Sequence, residues 1–342
     1  MNIQAHLQAA PFRHLVRMTD QIGLLEHAEG IVPRHEHGYC VDDVARGLMV
    51  VCREPSPSDE LITLARRYLY FLVQAQAPDG KVRNRLGYDR RWHGVPGTED
   101  CWGRCLWGLG TAAARGPTAG IREEARACFD RAAQVSSPWS HAMAFAALGA
   151  AEMLDKWPDH AGARTLLDGA VSAIGRIPAA EEWPWPQPRL SYANAALAEA
   201  LIVAGDKLGR PQVRSDGLRM LGWLLRVETR NGHLSVVPTT GWSLGEPRPA
   251  FDQQPIEVAT LADACARASS ADPRALWPDG IRSCAAWFQG VNDSGLVMWD
   301  TETGGGFDGL LAECVNLNQG AESTLAVIST LQHAQRFSLV PQ

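Results

Sequence analysis

Three observations predict an all-α fold, an (α/α)6 barrel or toroid of six helical hairpins with small β-hairpins in the long loops at one mouth. First, six loops rich in Gly, Trp and charged residues run straight into Ala- and Leu-rich helices. These junctions are Tyr39–Arg46, Thr98–Arg104, Trp139–His141, Leu190–Asn194, Phe251–Glu257 and Asn318–Glu322. Second, two helix types alternate. Third, the loops on one side of the hairpins are long and those on the other side are short.

The outer type is represented by 61–76, where Leu61, Leu64, Ala65, Tyr68, Leu72 and Ala75 share one stripe, the pattern of an amphipathic surface helix. The inner type is represented by Met143–Met153, apolar nearly all round and built from small side chains, as suits a helix enclosed by neighbours. In chain order, an outer helix over about 11–27 opens the chain and closes the ring beside the last inner helix. Hairpins follow at about 42–53 and 58–77, 99–114 and 119–135, 139–154 and 160–176, 191–206 and 212–229, and 253–268 and 275–290. The last inner helix spans about 319–334. Pro255 suits the first turn of its helix.

The inner-to-outer links, such as Arg53–Pro57 and Lys156–Asp159, are short. The outer-to-inner links Pro78–Thr98, Asn231–Ala250 and Asn292–Leu317 are long. Each long link starts with a turn signal and continues into a strand-like stretch, at Lys81–Arg83, His233–Val237 and Leu296–Trp299, before turning polar. Small hairpins are therefore expected around the mouth that faces the inner-helix N-termini. No low-complexity or linker segment divides the chain, so one domain is assigned to 1–342.

A formal charge of -6 without a Lys/Arg run excludes a nucleic-acid surface and a polybasic membrane patch. The eight cysteines form no CxxC and no disulfide-scaffold spacing, which fits a reducing compartment. No signal-peptide pattern or long uninterrupted apolar run is present, so a cytoplasmic location is expected. His35, His37 and Cys40 beside Asp42 and Asp43 match no common zinc pattern, and Cys101 with Cys105 lacks two further ligands. No metal and no cofactor are expected, because a Gly-rich phosphate loop, GxSxG and HExxH are all missing.

An acid in a first helical turn ordinarily caps backbone N–H groups and complements the helix dipole. Here the same arrangement recurs on helices that converge. Asp42 and Asp43 point about 100 degrees apart on a helix, so one faces the axis while the other pairs with Arg46. Glu99 and Asp100 pose the same choice with Arg104 one turn on. Glu257 and Glu322 lie within largely apolar helices, where a carboxylate needs a partner or a use.

The long loops add aromatic rings: Trp92, Trp183, Trp185, Trp242 and Trp299, with Tyr39. Flat rings suit pyranose faces, while His37, Asp42, Arg46, Glu99, Arg104, Tyr192, Asp252, Gln253, Glu257 and Asn318 are candidates for gripping hydroxyls. The plainer role for each tryptophan is to pin a long loop onto the barrel.

The segments Met18–Ala28 and Arg34–Arg46, with Thr98–Arg104, Ser191–Asn194, Phe251–Glu257 and Asn318–Glu322, resemble a bacterial group of (α/α)6-barrel proteins in the six-hairpin glycosidase superfamily. The resemblance covers nearly the whole chain. It departs from the group at Val41 and Val44, where the group has Thr and Asn beside the paired aspartates. It implies carboxylates at the inner-helix mouth, an oligosaccharide or glycoconjugate substrate, and a glycosyltransferase as a partner protein.

The expected activity is a glycoside hydrolase on a mannoside or glucoside. Asp100, beside Trp102, is the expected acid, and Asp43 or Glu322 the base. An inner-ring site suits the wide carboxylate separation of an inverting enzyme, about 6.5 to 9.5 Å. The rivals are a non-catalytic carbohydrate-binding or scaffold domain, and a sugar epimerase or lyase. The last ranks lower because His141 is the only histidine clearly placed near an inner-helix mouth.

Overall fold

The computed structural model describes residues 10–338; the remainder of the single domain assigned to 1–342 lies outside the described residues. Twelve helices are present among them. They are α1 (Arg13–Arg17), α2 (Val41–Arg53), α3 (Asp59–Ala75), α4 (Asp100–Arg115), α5 (Ala119–Ala132), α6 (Ser140–Lys156), α7 (Ala161–Ile174), α8 (Asn194–Lys207), α9 (Pro211–Val227), α10 (Pro255–Ala271), α11 (Leu276–Phe288) and α12 (Ala321–Ser338). The even-numbered helices pack in sequence, and α12 returns to α2, which closes an inner ring. Helices α3, α5, α7, α9 and α11 each lie against the inner helix before them. This is an (α/α)6 barrel.

Small side chains let the inner helices approach closely. On α4, Gly103 and Gly110 are one heptad apart and face Ala142 and Gly149 of α6. A Cβ on Gly110 would meet the Gly149 carbonyl oxygen, and one on Gly108 the Ala45 carbonyl of α2. Any larger residue forces these backbones apart.

The outer helix expected at about 11–27 is reduced to α1. Asp20 ends the helical run, because its side chain accepts from the backbone N–H of Ile22 and Gly23 in an Asx turn. The chain beyond runs extended, with Leu25 paired to Tyr39.

The loop hairpins exist but are shorter and differently placed than expected. Tyr39–Cys40, Arg85–Leu86 and Trp92–His93 form a three-stranded sheet. Thr229–Arg230 pairs with His233–Leu234, and Gly309–Leu310 with Val315–Asn316. Lys81–Arg83 and Leu296–Trp299 contribute only isolated bridges, at Val82 and Trp299. No described helix is long and apolar enough to cross a membrane.

The two ends of the ring differ in how the helix termini are served. Outer helices α3, α5 and α7 have side-chain caps from Ser58, Thr118 and His160. Inner helices α2, α4, α6, α8 and α10 have none. At the C-terminal end, basic side chains complement the helix dipoles around a cavity of about 670 Å³. There Glu152 accepts from Arg115 and Arg267, both at 2.7 Å, and Asp263 from Arg53 at 2.7 Å.

Burial by itself raises the Glu152 carboxyl, but Arg267, Arg115 and Arg53 outweigh it and hold the group at about 2. The depressed value means that its stabilisation is full above the unfolded pKa of 4.5 and is lost as pH falls toward 2. Glu152→Gln is expected to cost about 2 kcal/mol at neutral pH. Urea unfolding should show that difference shrinking between pH 4 and pH 2.

Candidate functional site

The uncapped N-terminal ends of the inner helices surround a cavity of about 1320 Å³. Its walls bring together nine of the residues expected at the site: Asp42, Asp43, Arg46, Glu99, Asp100, Arg104, Tyr192, Asp252 and Glu322. The acids of the inner first turns therefore do more than cap. Glu99 occupies the N-cap position of α4 yet accepts no capping hydrogen bond through its side chain.

Arg46, 5% exposed, holds three carboxylates on one nitrogen. Its Nη2 lies 2.7 Å from Asp43 Oδ1, 2.9 Å from Asp42 Oδ2 and 3.0 Å from Glu322 Oε2. Asp42 and Asp43 reach it from one helical turn away on α2, and Glu322 reaches it from α12. One cation cannot balance three anions, and the most buried member responds. Burial pushes the Asp43 carboxyl well above the usual range; Arg46 opposes this, while Asp42 and Glu322 add to it.

Arg104 is 4% exposed, with its guanidinium carbon 3.6 Å from the centroid of the Phe145 ring. Its Nε stands 3.6 Å from Asp42 Oδ1, too far for a hydrogen bond, and that nitrogen has no partner among the described residues.

The remaining groups have unequal environments. Burial raises Asp100 to about 6 against the pull of Arg104, with Asp42 and Glu99 adding to the rise. His141 is lowered to about 4 by burial and then by Arg104, so its imidazole is neutral at neutral pH. The ring stacks on Tyr192 at 4.7 Å, and Nε2 is buried without a partner. Asp308 accepts from the Gly320 N–H and from Ser323, yet burial still raises it.

Ten expected site residues fall outside the cavity wall. The tryptophans pin loops. Trp183 donates to the Gln187 carbonyl and packs edge-on against Trp223 and Trp242. Trp242 donates to the Glu246 carbonyl, Trp185 is buried against Trp223, and Trp92 leans on Phe71. Trp299 is buried and bridges to Gly306.

The polar members of that set are also occupied. Glu257 accepts from the backbone N–H of Ala193 and Asn194, serving the start of α8 that has no cap of its own. Gln253 is buried between Ala250, Asp293 and Trp287. Asn318 accepts from Gly30, Tyr39 donates to Asp20, and exposed His37 meets His27 edge-on.

Several lining residues were not foreseen as ligand contacts, including Glu26, Arg85, Gln187, Asp308 and Trp139. Trp139 was detectable, since it begins one of the six junctions. Glu26, Cys40 and Asp43 form the group of potential metal ligands found among the described residues, within 4.8 Å of one another. Arg85 engages Glu26, Arg46 engages Asp43, and burial keeps the Cys40 thiol well above its usual pKa. These engagements suit a charge network better than a metal site.

No protein-family model and no curated protein matches the sequence. Solved structures do match the fold. A cellobiose 2-epimerase from Spirochaeta thermophila DSM 6192 is 13% identical, with a TM-score of 0.71 over 98% of this chain and 96% of that one. A sugar epimerase from a ruminal bacterium is 12% identical, with a TM-score of 0.67 over 96% of both chains. A GH76 α-mannanase from Bacteroides thetaiotaomicron is 11% identical, with a TM-score of 0.59 over 87% of this chain and 86% of that one. At these identities the likeness is one of fold.

The raised carboxyl of Asp100 carries a stability cost with a defined sign. Its folded pKa of about 6 exceeds the ordinary aspartate value of 3.8, so the cost is absent below about pH 4 and complete above about pH 6. Allowing for its partial exposure, Asp100→Asn should gain about 1 kcal/mol at pH 8. Thermal melts at pH 4 and pH 8 test this, and a gain confined to the higher pH is expected.

Proposed function

We propose that the chain is a glycoside hydrolase acting on an oligosaccharide or glycoconjugate, with Asp100 as general acid and Glu322 as general base. The observation that carries this reading is the inequality of the cavity carboxylates. Asp100 titrates near 6 and is free of protein hydrogen bonds among the described residues, whereas Glu322 is paired with Arg46 and 46% exposed at the side chain. Unequal surroundings of this kind divide acid from base. Asp43 is too buried to meet an incoming water, which favours Glu322 over it as the base.

In the reaction, Asp100 gives its proton to the glycosidic oxygen as the bond from the anomeric carbon to that oxygen breaks. Water adds to the anomeric carbon from the opposite face, and Glu322 takes the water's proton. Arg46 pairs with Glu322 and holds it at the mouth, and Arg104 donates to sugar oxygens. The acid sits on α4 and the base on α12, with α2 between them. The two carboxylates thus stand on inner helices that are not neighbours in the ring, which favours a wide separation over the close pair of a retaining enzyme.

Epimerases and an isomerase are among the fold's relatives, and the unpartnered Nε2 of His141 is the feature that favours such chemistry here. A base for proton abstraction from an open-chain sugar works best near the operating pH. His141 at about 4 is a weak base, and the other two histidines on the cavity wall, His27 and His93, are exposed. The low basicity of His141 is what favours hydrolysis over epimerisation in this proposal.

The test is product analysis on α- and β-mannosides and β-glucans. New reducing ends with inverted anomeric configuration by NMR are expected, and kcat/KM should fall above about pH 6 as Asp100 ionises. Asp100→Asn and Glu322→Gln should each reduce turnover by about 10²–10⁴-fold. Wild-type turnover in both variants would refute the assignment. A C2 isomer formed at constant reducing ends would instead establish epimerisation, and binding without turnover the scaffold role.

A further inference from the structure

Of the twelve tryptophans in the chain, Trp139 is the one whose side chain is exposed, at 60%. The others are buried or half-buried, most of them against one another or against neighbouring rings. No aromatic ring among the described residues stacks on Trp139, yet it lines the cavity. Its place on the wall of a concave polar cavity, where a bound ligand can cover the ring, sets it apart from the scattered exposed apolar side chains elsewhere.

The backbone around this ring is fixed. The Trp139 N–H donates to Ser137 Oγ at 3.1 Å, and its carbonyl accepts from Met143 as α6 begins. The next residue, Ser140, accepts from Gln187 Nε2 at 2.9 Å, which ties the Trp183-pinned loop to the same wall. A second ring stands on that wall: Tyr192, 42% exposed and stacked on His141. A rigid flat ring with its face open to a polar cavity is suited to the apolar face of a sugar.

Position in the ring gives the platform a direction. Helix α6 lies opposite α12 among the six inner helices and next to α4. Trp139 therefore stands across the cavity from the base Glu322 and on the side of the acid Asp100. A cavity of about 1320 Å³ exceeds the roughly 300–1,000 Å³ that encloses a drug-sized ligand, so it has room for more than one sugar ring.

We propose that Trp139 is the platform for the sugar on the leaving-group side of the scissile bond. The substrate is then a chain of at least two sugars, not a monosaccharide joined to a small alcohol. This rests on the hydrolase reading for its direction, whereas the stacking itself does not.

The experiment compares wild type, Trp139→Ala and Trp139→Phe on manno- and gluco-oligosaccharides and on the matching glycosyl fluorides, which have no leaving-group sugar. Trp139→Ala should lower the ratio of oligosaccharide to fluoride kcat/KM by about tenfold or more, chiefly through KM, with partial recovery in Trp139→Phe. An unchanged ratio overturns the proposal while leaving the roles of Asp100 and Glu322 intact.

A direct arm separates the two readings. Calorimetric titration of Asp100→Asn with the same oligosaccharides, with and without Trp139→Ala, reads binding in the absence of turnover. Affinity unaffected by Trp139→Ala overturns the platform even where hydrolysis is found. If wild type turns over nothing, a loss of affinity in this arm supports the platform without the hydrolase. If no oligosaccharide binds, both readings fall.

Discussion

The close approach of α4 to α6 sets the dimensions of everything at the N-terminal mouth. Gly103 and Gly110 lie against Ala142 and Gly149 with no room for a Cβ, and the seam is one heptad long on both helices. It brings Arg104, one residue beyond Gly103, over the ring of Phe145. It also places Asp100 beside the wall that carries Trp139 and His141. A methyl group at Gly110 would displace the backbone of α6, and with it the ring that Arg104 rests on. The catalytic reading thus depends on glycines that touch no ligand.

The second constraint is charge. At the N-terminal mouth, Asp42, Asp43 and Glu322 converge on a single nitrogen of Arg46. Desolvation decides where the crowding of negative charge is felt: the buried Asp43 carboxyl is pushed well above its usual range, with Asp42 and Glu322 adding to the rise. At the C-terminal end the ratio is reversed locally. Three arginines surround Glu152 and hold it ionised. The same balance is not uniform at that end, where burial and Asp263 raise Glu199 to about 8 against Arg267 and Arg53.

The inner ring was legible in the sequence because burial on all sides imposes an unmistakable composition, as in Met143–Met153. The outer helices were legible from their stripes. The expected helix at about 11–27 was not real beyond Arg17, because the side-chain hydrogen bonds of Asp20 outcompete helical ones, a local effect that periodicity does not register. Nine of the expected residues line one cavity, since helix N-termini in a closed ring have to converge, whereas His37, Gln253, Glu257 and Asn318 are engaged elsewhere. The aromatic half was misplaced. Tryptophans in long loops look alike in sequence, but most of these have a neighbouring ring or carbonyl to satisfy them, as Trp183 has in Trp223 and Gln187. The ring without such a partner belongs to a junction, where it had been counted as part of a helix start.

Why the acids gather at these particular termini follows from what serves the helix ends. Five inner helices begin without a cap from their own N-cap side chain, and their positive dipole ends face the cavity. That field favours carboxylates there whether or not they react. Glu257 is spent on it, bound to the N–H groups at the start of α8 and withdrawn from the cavity. Asp100 stands at the first position of α4 within the same kind of field and still titrates near 6. Desolvation by the packed wall of α4 and α6 therefore outweighs both the dipole and Arg104. A helix terminus that merely needed an anion would be better served by a solvated one, so the raised carboxyl of Asp100 is the part of the junction motif that capping does not explain.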